Sequence, residues 1–359
     1  MNVKRYFDLA YRIARNRLGV KRFPSFITFL VTWRCNQKCA MCDIWKKKPS
    51  AELDTGGIEA VFRQLKPVDA IRITGGEPFM RSDISEIVNL AGRILSPAVI
   101  HLTTNGSLTE RIAGSVRKID PALAPGVHVK ISIDGTEQIH DRIRGVKGAY
   151  KSALATVREL SGLRKETGFF LGVNQTITDE ESARSYFRLK EILKKYGVSV
   201  YPTVAYKKET ALYKDKKNFI SPGLTYRPYG EFSGDFLENF LKTLMKDASG
   251  LGDFAERAAK KYYLKGVYNR LLNKKNSPSP RCAALTDHLR ILPDGDVPVC
   301  LYNSAVIGNL RKEPFRELWF GERIEKYRKW VRACPGCWAG CECMVSGFYS
   351  GSLPASLAF

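Results

Sequence analysis

The chain has 359 residues, 44% of them hydrophobic and 26% charged, a balance that excludes general disorder and suits one large domain of ~250 residues with a smaller one beside it. Its formal charge of +22 favours anionic partners (nucleic acid, phosphorylated substrates or an acidic lipid surface) and says little about fold. No apolar run is long enough for a membrane span, and the first 21 residues lack the apolar core and cleavage site of an export signal, so a cytoplasmic protein is expected.

Residues 1–24 read as a basic amphipathic helix. Val3, Tyr6, Phe7, Ala10, Ile13, Ala14 and Leu18 share a stripe, Lys4, Arg5, Arg12, Arg15 and Arg17 decorate the rest, and Pro24 ends it. Such a helix either packs on the core or lies on the acidic inner face of a membrane, a peripheral contact. Apolar strands and amphipathic helices then alternate over 25–205. Strands are expected at Phe26–Val31, Ala70–Thr74, Val99–Thr103, Val127–Ile133, Phe169–Gln175 and Ser199–Val204. Helices are expected at Gly57–Leu65, Asp83–Ile94, Thr109–Ile119, Ala149–Glu166 and Ser182–Tyr196.

Six such units imply an α/β fold with parallel strands and right-handed crossovers, either an open sheet or a partial barrel. In both, ligands gather at the carboxyl ends of the strands. The sequences that look chemical lie there: a cysteine group after the first strand, Gly75–Pro78 after the second, Asn105-Gly106 after the third. Residues 206–280 are Tyr- and Lys-rich and read as an insertion or linker with helices at Asp235–Met245 and Asp253–Leu272. Residues 281–345 form a cysteine-rich segment too poor in apolar periodicity to fold without ligands, and 346–359 a short uncharged tail.

Of nine cysteines, three fall within 35–42, six within 282–343 and none between. In a large chain without an export signal this pattern favours metal or cluster ligation over disulfides. Cys35, Cys39 and Cys42 are spaced C-x3-C-x2-C. A short loop of this kind wraps three thiolates around one face of a cubane cluster and leaves one iron open. Zinc is the alternative, but a closed zinc site needs a fourth ligand, and the nearest histidine, His101, is far along the chain. His101, His128 and His140 read as core histidines.

In the second group Cys282 and Cys300 precede a Cys334-Pro335-Gly336-Cys337 knuckle, followed by Cys341 and Cys343. A distant pair meeting a CxxC knuckle supplies four thiolates to a cluster or to zinc. Asp294-Gly295-Asp296 fits a hairpin turn before Cys300.

Thr32-Trp33-Arg34-Cys35-Asn36-Gln37-Lys38-Cys39-Ala40-Met41-Cys42 resembles the signature loop of the radical SAM superfamily, with Met41 standing where an aromatic residue is common. Gly75-Gly76-Glu77-Pro78 resembles that family's GGEP motif, and Asn105-Gly106 the end of its third strand. Ser132 and Asp134, with Ile139–Gly145, resemble the fourth-strand region of the subgroup containing anaerobic sulfatase maturases. The element C-x12-G-x4-C followed by CxxC resembles the appended auxiliary-cluster domains called SPASM or twitch, although C-x2-C-x3-C-x-C is not their usual spacing.

The resemblance implies a partial (β/α)6 TIM-like barrel with a small auxiliary domain. It implies a [4Fe–4S] cluster on Cys35, Cys39 and Cys42 that binds S-adenosylmethionine (SAM) through its open iron. One electron from a carrier such as flavodoxin or ferredoxin then releases a 5′-deoxyadenosyl radical, which takes a hydrogen atom from the substrate. Gly75, Gly76, Glu77 and Pro78 would meet the SAM amino group and Arg144 its carboxylate, with Asn105, Ser132 and Asp134 nearby. Read without it, the glycines and Asn105 are turn residues, Ser132 and Asp134 satisfied buried polar groups, and Arg144 half of a salt bridge. One auxiliary [4Fe–4S] cluster on Cys282, Cys300, Cys334 and Cys337 is implied, with Cys341 or Cys343 able to replace a knuckle residue.

The substrate stays open between a peptide, of the sulfatase-maturase type, and an anionic small molecule or lipid-linked compound. Only about 25 residues precede the core, too few for a folded leader-peptide-binding domain, while Lys21–Pro24 resembles the entry to hopanoid-pathway radical SAM proteins. RNA modification ranks below both, nucleic acid being the least expected partner. A zinc-bearing binding module is the non-enzymatic rival.

Overall fold

The computed structural model describes residues 23–48, 51–206, 228–249 and 254–355; the expected N-terminal helix lies outside them, apart from Phe23 and Pro24. Strands β1 (Phe26–Leu30), β2 (Ala70–Thr74), β3 (Val99–Thr104), β4 (Val127–Ser132), β5 (Phe170–Ile177) and β6 (Ser199–Val204) alternate with helices. These are α1 (Thr55–Arg63), α2 (Ile84–Leu95), α3 (Thr109–Arg117), α4 (Glu137–Arg144), α5 (Ala149–Thr167) and α6 (Glu180–Lys194). A seventh strand, β7 (His288–Ile291), joins after a long detour. The sheet order is β6-β5-β4-β3-β2-β1-β7, with every neighbouring pair parallel. This is the expected partial barrel, widened by one strand.

Each strand is placed by its alternation. Ile71, Ile73, Ile100, Leu102, Val127, Val129, Ile131, Leu171 and Val173 are buried in one continuous core with Phe62, Ile87, Val88, Ile112, Val157, Leu160 and Leu189 of the covering helices. Period-2 strands thus meet period-3.6 helices on a shared apolar layer. The helix starts are fixed locally. Asp54 accepts the Gly57 N–H at 2.8 Å, and Asp179 and Ser182 form a reciprocal capping box. The opposite faces of β2 to β6 are half-buried at alternate positions, whereas β1 and β7 are buried throughout. The barrel interior is therefore open along β2–β6 and filled along β1–β7.

Two later segments add to the core. In the described part of the segment read as an insertion or linker, α7 (Gly234–Ser249) and α8 (Phe254–Leu271) place Leu237, Leu241, Leu244, Tyr262, Leu264 and Val267 in the main core. At Gly266 a Cβ would lie 1.9 Å from the Trp338 ring, so only glycine admits that indole, whose N–H donates to the Tyr263 carbonyl at 2.9 Å. The cysteine-rich C-terminal segment contributes as well. It forms β8 (Asp296–Pro298), β9 (Val306–Asn309), α9 (Phe315–Phe320), α10 (Glu325–Ala333), α11 (Gly340–Tyr349) and α12 (Ser352–Ala355), and buries Phe315, Trp319 and Trp338. The expected tail begins inside α11, where Val345 and Tyr349 pack on Phe26 and the Tyr349 hydroxyl donates to Asp69 at 2.9 Å. Short elements separated by Gly and Pro hide their periodicity, because no window long enough to show it exists.

The start of α11 closes the barrel. A Cβ on Gly340 would sit 3.8 Å from Thr203 of β6, Arg72 of β2 donates to the Cys341 carbonyl at 3.2 Å, and Glu342 pairs with Arg290 of β7. No helix among the described residues is long and apolar enough to cross a membrane.

Candidate active site and auxiliary cysteines

Beyond β1 the chain runs on beside β2. Val31 N–H donates to Thr74 O, Gly76 N–H to Thr32 O and Glu77 N–H to Arg34 O, each at 2.8 Å. The two glycines make this approach possible. Gly75 holds φ +141°, and a Cβ there would lie 2.4 Å from the Thr32 carbonyl; at Gly76 it would lie 2.0 Å from the Arg34 carbonyl. Real Cβ atoms do not approach backbone so closely, so Gly75-Gly76 is the bed on which the cysteine loop lies.

From the side, Glu52 accepts the Thr32 hydroxyl and the Trp33 N–H at 2.8 Å. Arg81, tied to Asp83, donates to the Val31 and Leu53 carbonyls at 3.0 Å. Across the loop, Lys38 and Ala40 donate to the Arg144 and Ile143 carbonyls at the end of α4. Gly145 turns there at φ +65°, with Lys38 O 2.8 Å from where its Cβ would be. Asn36 bonds both Asn105 and Ser107 at 2.8 Å. Glu52 and Arg81 were missed in the sequence because neither is within a motif.

The thiols of Cys35, Cys39 and Cys42 fall within mutual electrostatic reach. Burial pushes Cys35 up to about 11 and Cys42 up to about 12, so thiolates here need positive charge beside them. Arg144 supplies some: a terminal guanidinium nitrogen lies 3.7 Å from Cys39 Sγ, while its Nε donates to Asp134 at 2.7 Å. Asp134 also accepts the Thr176 N–H at 2.8 Å, so both its oxygens are engaged within the protein. It orients Arg144 rather than facing a ligand. His140 is buried beneath, its Nδ1 accepting the Asp134 N–H at 3.0 Å, and burial pulls its pKa down to about 4, which keeps that nitrogen an acceptor. Ser132 is half-buried on the inward face.

Glu77 is 1% exposed. It accepts the Thr104 hydroxyl and Asn105 N–H at 2.7 Å and the Phe79 N–H at 3.2 Å, bracing β2 against β3. Burial pushes its carboxyl up to about 7 against the pull of these bonds. An acid raised above its unfolded value of 4.5 stabilises the fold when protonated, and this stabilisation is lost as pH climbs from about 4.5 to 7. The difference amounts to about 3 kcal/mol. Urea unfolding of the cluster-free, reduced protein should show the decline, and Glu77→Gln should flatten it; parallel wild-type and variant profiles would contradict this origin.

The second cysteine group assembles against the same wall. Cys282, Cys300 and Cys337 lie within electrostatic reach of one another, and Cys334 of Cys282. The Asn303 N–H donates to Cys300 Sγ at 3.3 Å, and Gly295 turns the chain at φ +89° between β7 and β8. Cys341 faces Arg72 and Arg290, and Cys343 is 1% exposed near Tyr262 and Arg270. Cys35 and Cys42 pack with Cys300, Cys337 and Cys341 on a single apolar cluster of Leu30, Trp33, Ile44, Leu292, Leu301, Tyr302 and Ala339. Both groups therefore border one water-excluding wall.

The radical SAM superfamily model matches residues 29–187, and that of the SPASM iron–sulfur cluster-binding domain matches residues 282–341. The chain is a radical SAM enzyme with a SPASM domain. The first domain implies a [4Fe–4S] cluster and SAM, the second auxiliary iron–sulfur clusters. Buried thiols that disfavour ionisation, next to a single guanidinium, fit a cationic iron centre that supplies the missing charge. The zinc-module rival gives way to this assignment.

Among similar proteins, the pre-heme d1 synthase of Dinoroseobacter shibae is 27% identical, over 88% of this chain and 78% of its own. The AdoMet-dependent heme synthase of Methanosarcina barkeri is 28% identical, over 87% and 86%. Streptococcus suis SuiB, solved bound to its precursor peptide SuiA, superposes with a TM-score of 0.58 over 87% of this chain and 68% of its own; at 15% identity the likeness is one of fold.

His101 and His128, expected in the core, are instead half-buried on the inward faces of β3 and β4, their rings 5.2 Å apart. Arg72 and Lys130 share that face. A cation at an inward position of an apolar strand was a readable signal.

Proposed function

We propose that this enzyme acts on a heme-type tetrapyrrole carried into the barrel interior, with Cys35, Cys39 and Cys42 holding the SAM-cleaving cluster at the mouth. Reductive cleavage of SAM at such a cluster yields methionine and a 5′-deoxyadenosyl radical, which takes a hydrogen atom from the substrate. Gly75 to Pro78 and Asn105 form the rim on which SAM would lie, Ser132 faces inward beside it, and Arg144, held by Asp134, directs positive charge at Cys39. Cys282, Cys300, Cys334 and Cys337 would hold the auxiliary cluster, with the shared apolar wall excluding water between the two centres.

The observation that carries the substrate reading is the similarity to the pre-heme d1 synthase and the AdoMet-dependent heme synthase, 27% and 28% identical over 88% and 87% of this chain. The fold shared with peptide-bound SuiB supports a peptide as the second reading. A one-electron carrier of the flavodoxin or ferredoxin type, acidic and so drawn to a chain of charge +22, would serve as donor. Nine free cysteines suit the reducing cytoplasm.

The test is label transfer. Reduced, anaerobically reconstituted protein receives SAM with either deuterated iron-coproporphyrin III or deuterated peptides. Deuterium in 5′-deoxyadenosine from the tetrapyrrole is the expected result; label from the peptides alone would replace this reading with the second.

A further inference from the structure

The inward positions of β2 to β6 carry Arg72, His101, His128 and Lys130 and not one carboxylate. The register brings them together: Arg72 stands opposite His101, His101 opposite His128, and Lys130 one inward position further along β4. Lys130 makes no hydrogen bond or ion pair with any described residue. Its ammonium lies 4.0 Å from the centre of the Tyr201 ring, and an aromatic face attracts a cation without neutralising it. Arg72 gives one N–H to the Cys341 carbonyl, and the rest of its planar fork is unbonded among the described residues.

The acids near this face do not balance it. Glu342 is taken by Arg290 and His288. Glu256 of α8 lies within electrostatic reach of Lys130 but forms no ion pair with it. Burial pulls the Lys130 ammonium down to about 8, with Arg72 pulling the same way and Glu256 against, so the group is still mostly charged at pH 7. His128 is pulled down to about 4 and His101 well below its ordinary value, so both imidazoles are neutral there. Two half-buried cations lining the open interior beside neutral donors make a seat for an anion, because a partly desolvated charge gains from being paired.

We infer that Arg72 and Lys130, flanked by His101 and His128, form an oxyanion seat inside the barrel that takes a carboxylate or phosphate group of the substrate. The inference rests on the reading that the substrate enters the barrel interior. It also sets a dimension. Arg72 lies three residues below Gly75 on β2, so the seat is about 10 Å beneath the rim. The acidic group it holds is thus remote from the carbon that loses hydrogen, and its role is to fix the substrate's depth and orientation.

Competitive labelling with acetic anhydride, read by mass spectrometry on the Lys130 peptide of the reconstituted enzyme, measures that lysine's titration midpoint. With no anion the midpoint should lie near 8. An anion in the seat favours the charged ammonium, so saturating citrate or pyrophosphate should raise the midpoint by about half a pH unit or more. Citrate alone would mark a carboxylate seat, pyrophosphate alone a phosphate seat, and Arg72→Met should abolish either shift. A midpoint that ignores both anions, or moves equally in Arg72→Met, overturns the proposal. Release of 5′-deoxyadenosine by the same wild-type preparation is scored separately. A silent Lys130 with deoxyadenosine formed sinks the seat alone; a responsive Lys130 without it sinks the radical reading alone.

Discussion

Cys39→Ala is expected to abolish 5′-deoxyadenosine release and to cut bound iron from about eight to about four atoms per chain, the loss of one cubane out of two. Cys39 is the buried member of the trio and the one facing Arg144. Removing its sulfur leaves two half-exposed thiols, too few to retain the cluster, with a guanidinium pointing at a void. The auxiliary cysteines are contributed by other elements and meet the first group only through the apolar wall, so their iron should remain. Gly76→Ala is the stricter version, because it touches no ligand. Its Cβ would lie 2.0 Å from the Arg34 carbonyl, and relief requires lifting the loop off β2 at the cost of the Thr32 and Arg34 backbone bonds. The same halving of iron and loss of cleavage are expected. Iron assay and chromatography of the nucleoside decide both; a Gly76→Ala protein with full iron would show that the loop does not depend on that bed.

How much of this was legible beforehand follows from whether the information was local. The cysteine loop, Gly75–Pro78 and Asn105 could be read directly because each is a short run at the end of a strand with strong alternation. Arg144 could be found, but its partners could not. Asp134 lies ten residues before it and Cys39 on another loop, and only α4, which the sequence reading treated as part of the strand motif, folds the arginine back. β7 escaped because four residues give two periods of alternation and the strand pairs with β1, some 260 residues away. Glu342 looked like a spacer between two cysteines. Its partners, Arg290 and His288, are on that unseen strand, so the wiring of the SPASM segment into the barrel floor had no local signature.

That wiring bears on how the two halves cooperate. Cys341 offers its carbonyl to Arg72, a residue of the oxyanion seat, and Glu342 binds the neighbouring Arg290. The start of α11 is thus tied to both β2 and β7.

Asp134→Ala is expected to destabilise the fold by about 3–5 kcal/mol, the usual cost of stripping one partner from a buried ion pair. Asp134 is fully buried and Arg144 7% exposed. The variant would leave the guanidinium with only the Cys39 sulfur for company, and would free the Thr176 N–H and with it the brace between β4 and β5. Asp134→Asn should cost less, since one amide oxygen still accepts a bond, but its NH2 then opposes a donor. Arg144→Met in the Asp134→Ala background should recover part of the loss, because the cost lies in the orphaned charge rather than in the missing attraction. Urea unfolding of the wild type, Asp134→Ala, Arg144→Met and the double variant gives the coupling directly. Additive losses would mean that the two side chains act independently, and that Arg144 owes its aim at Cys39 to α4 alone.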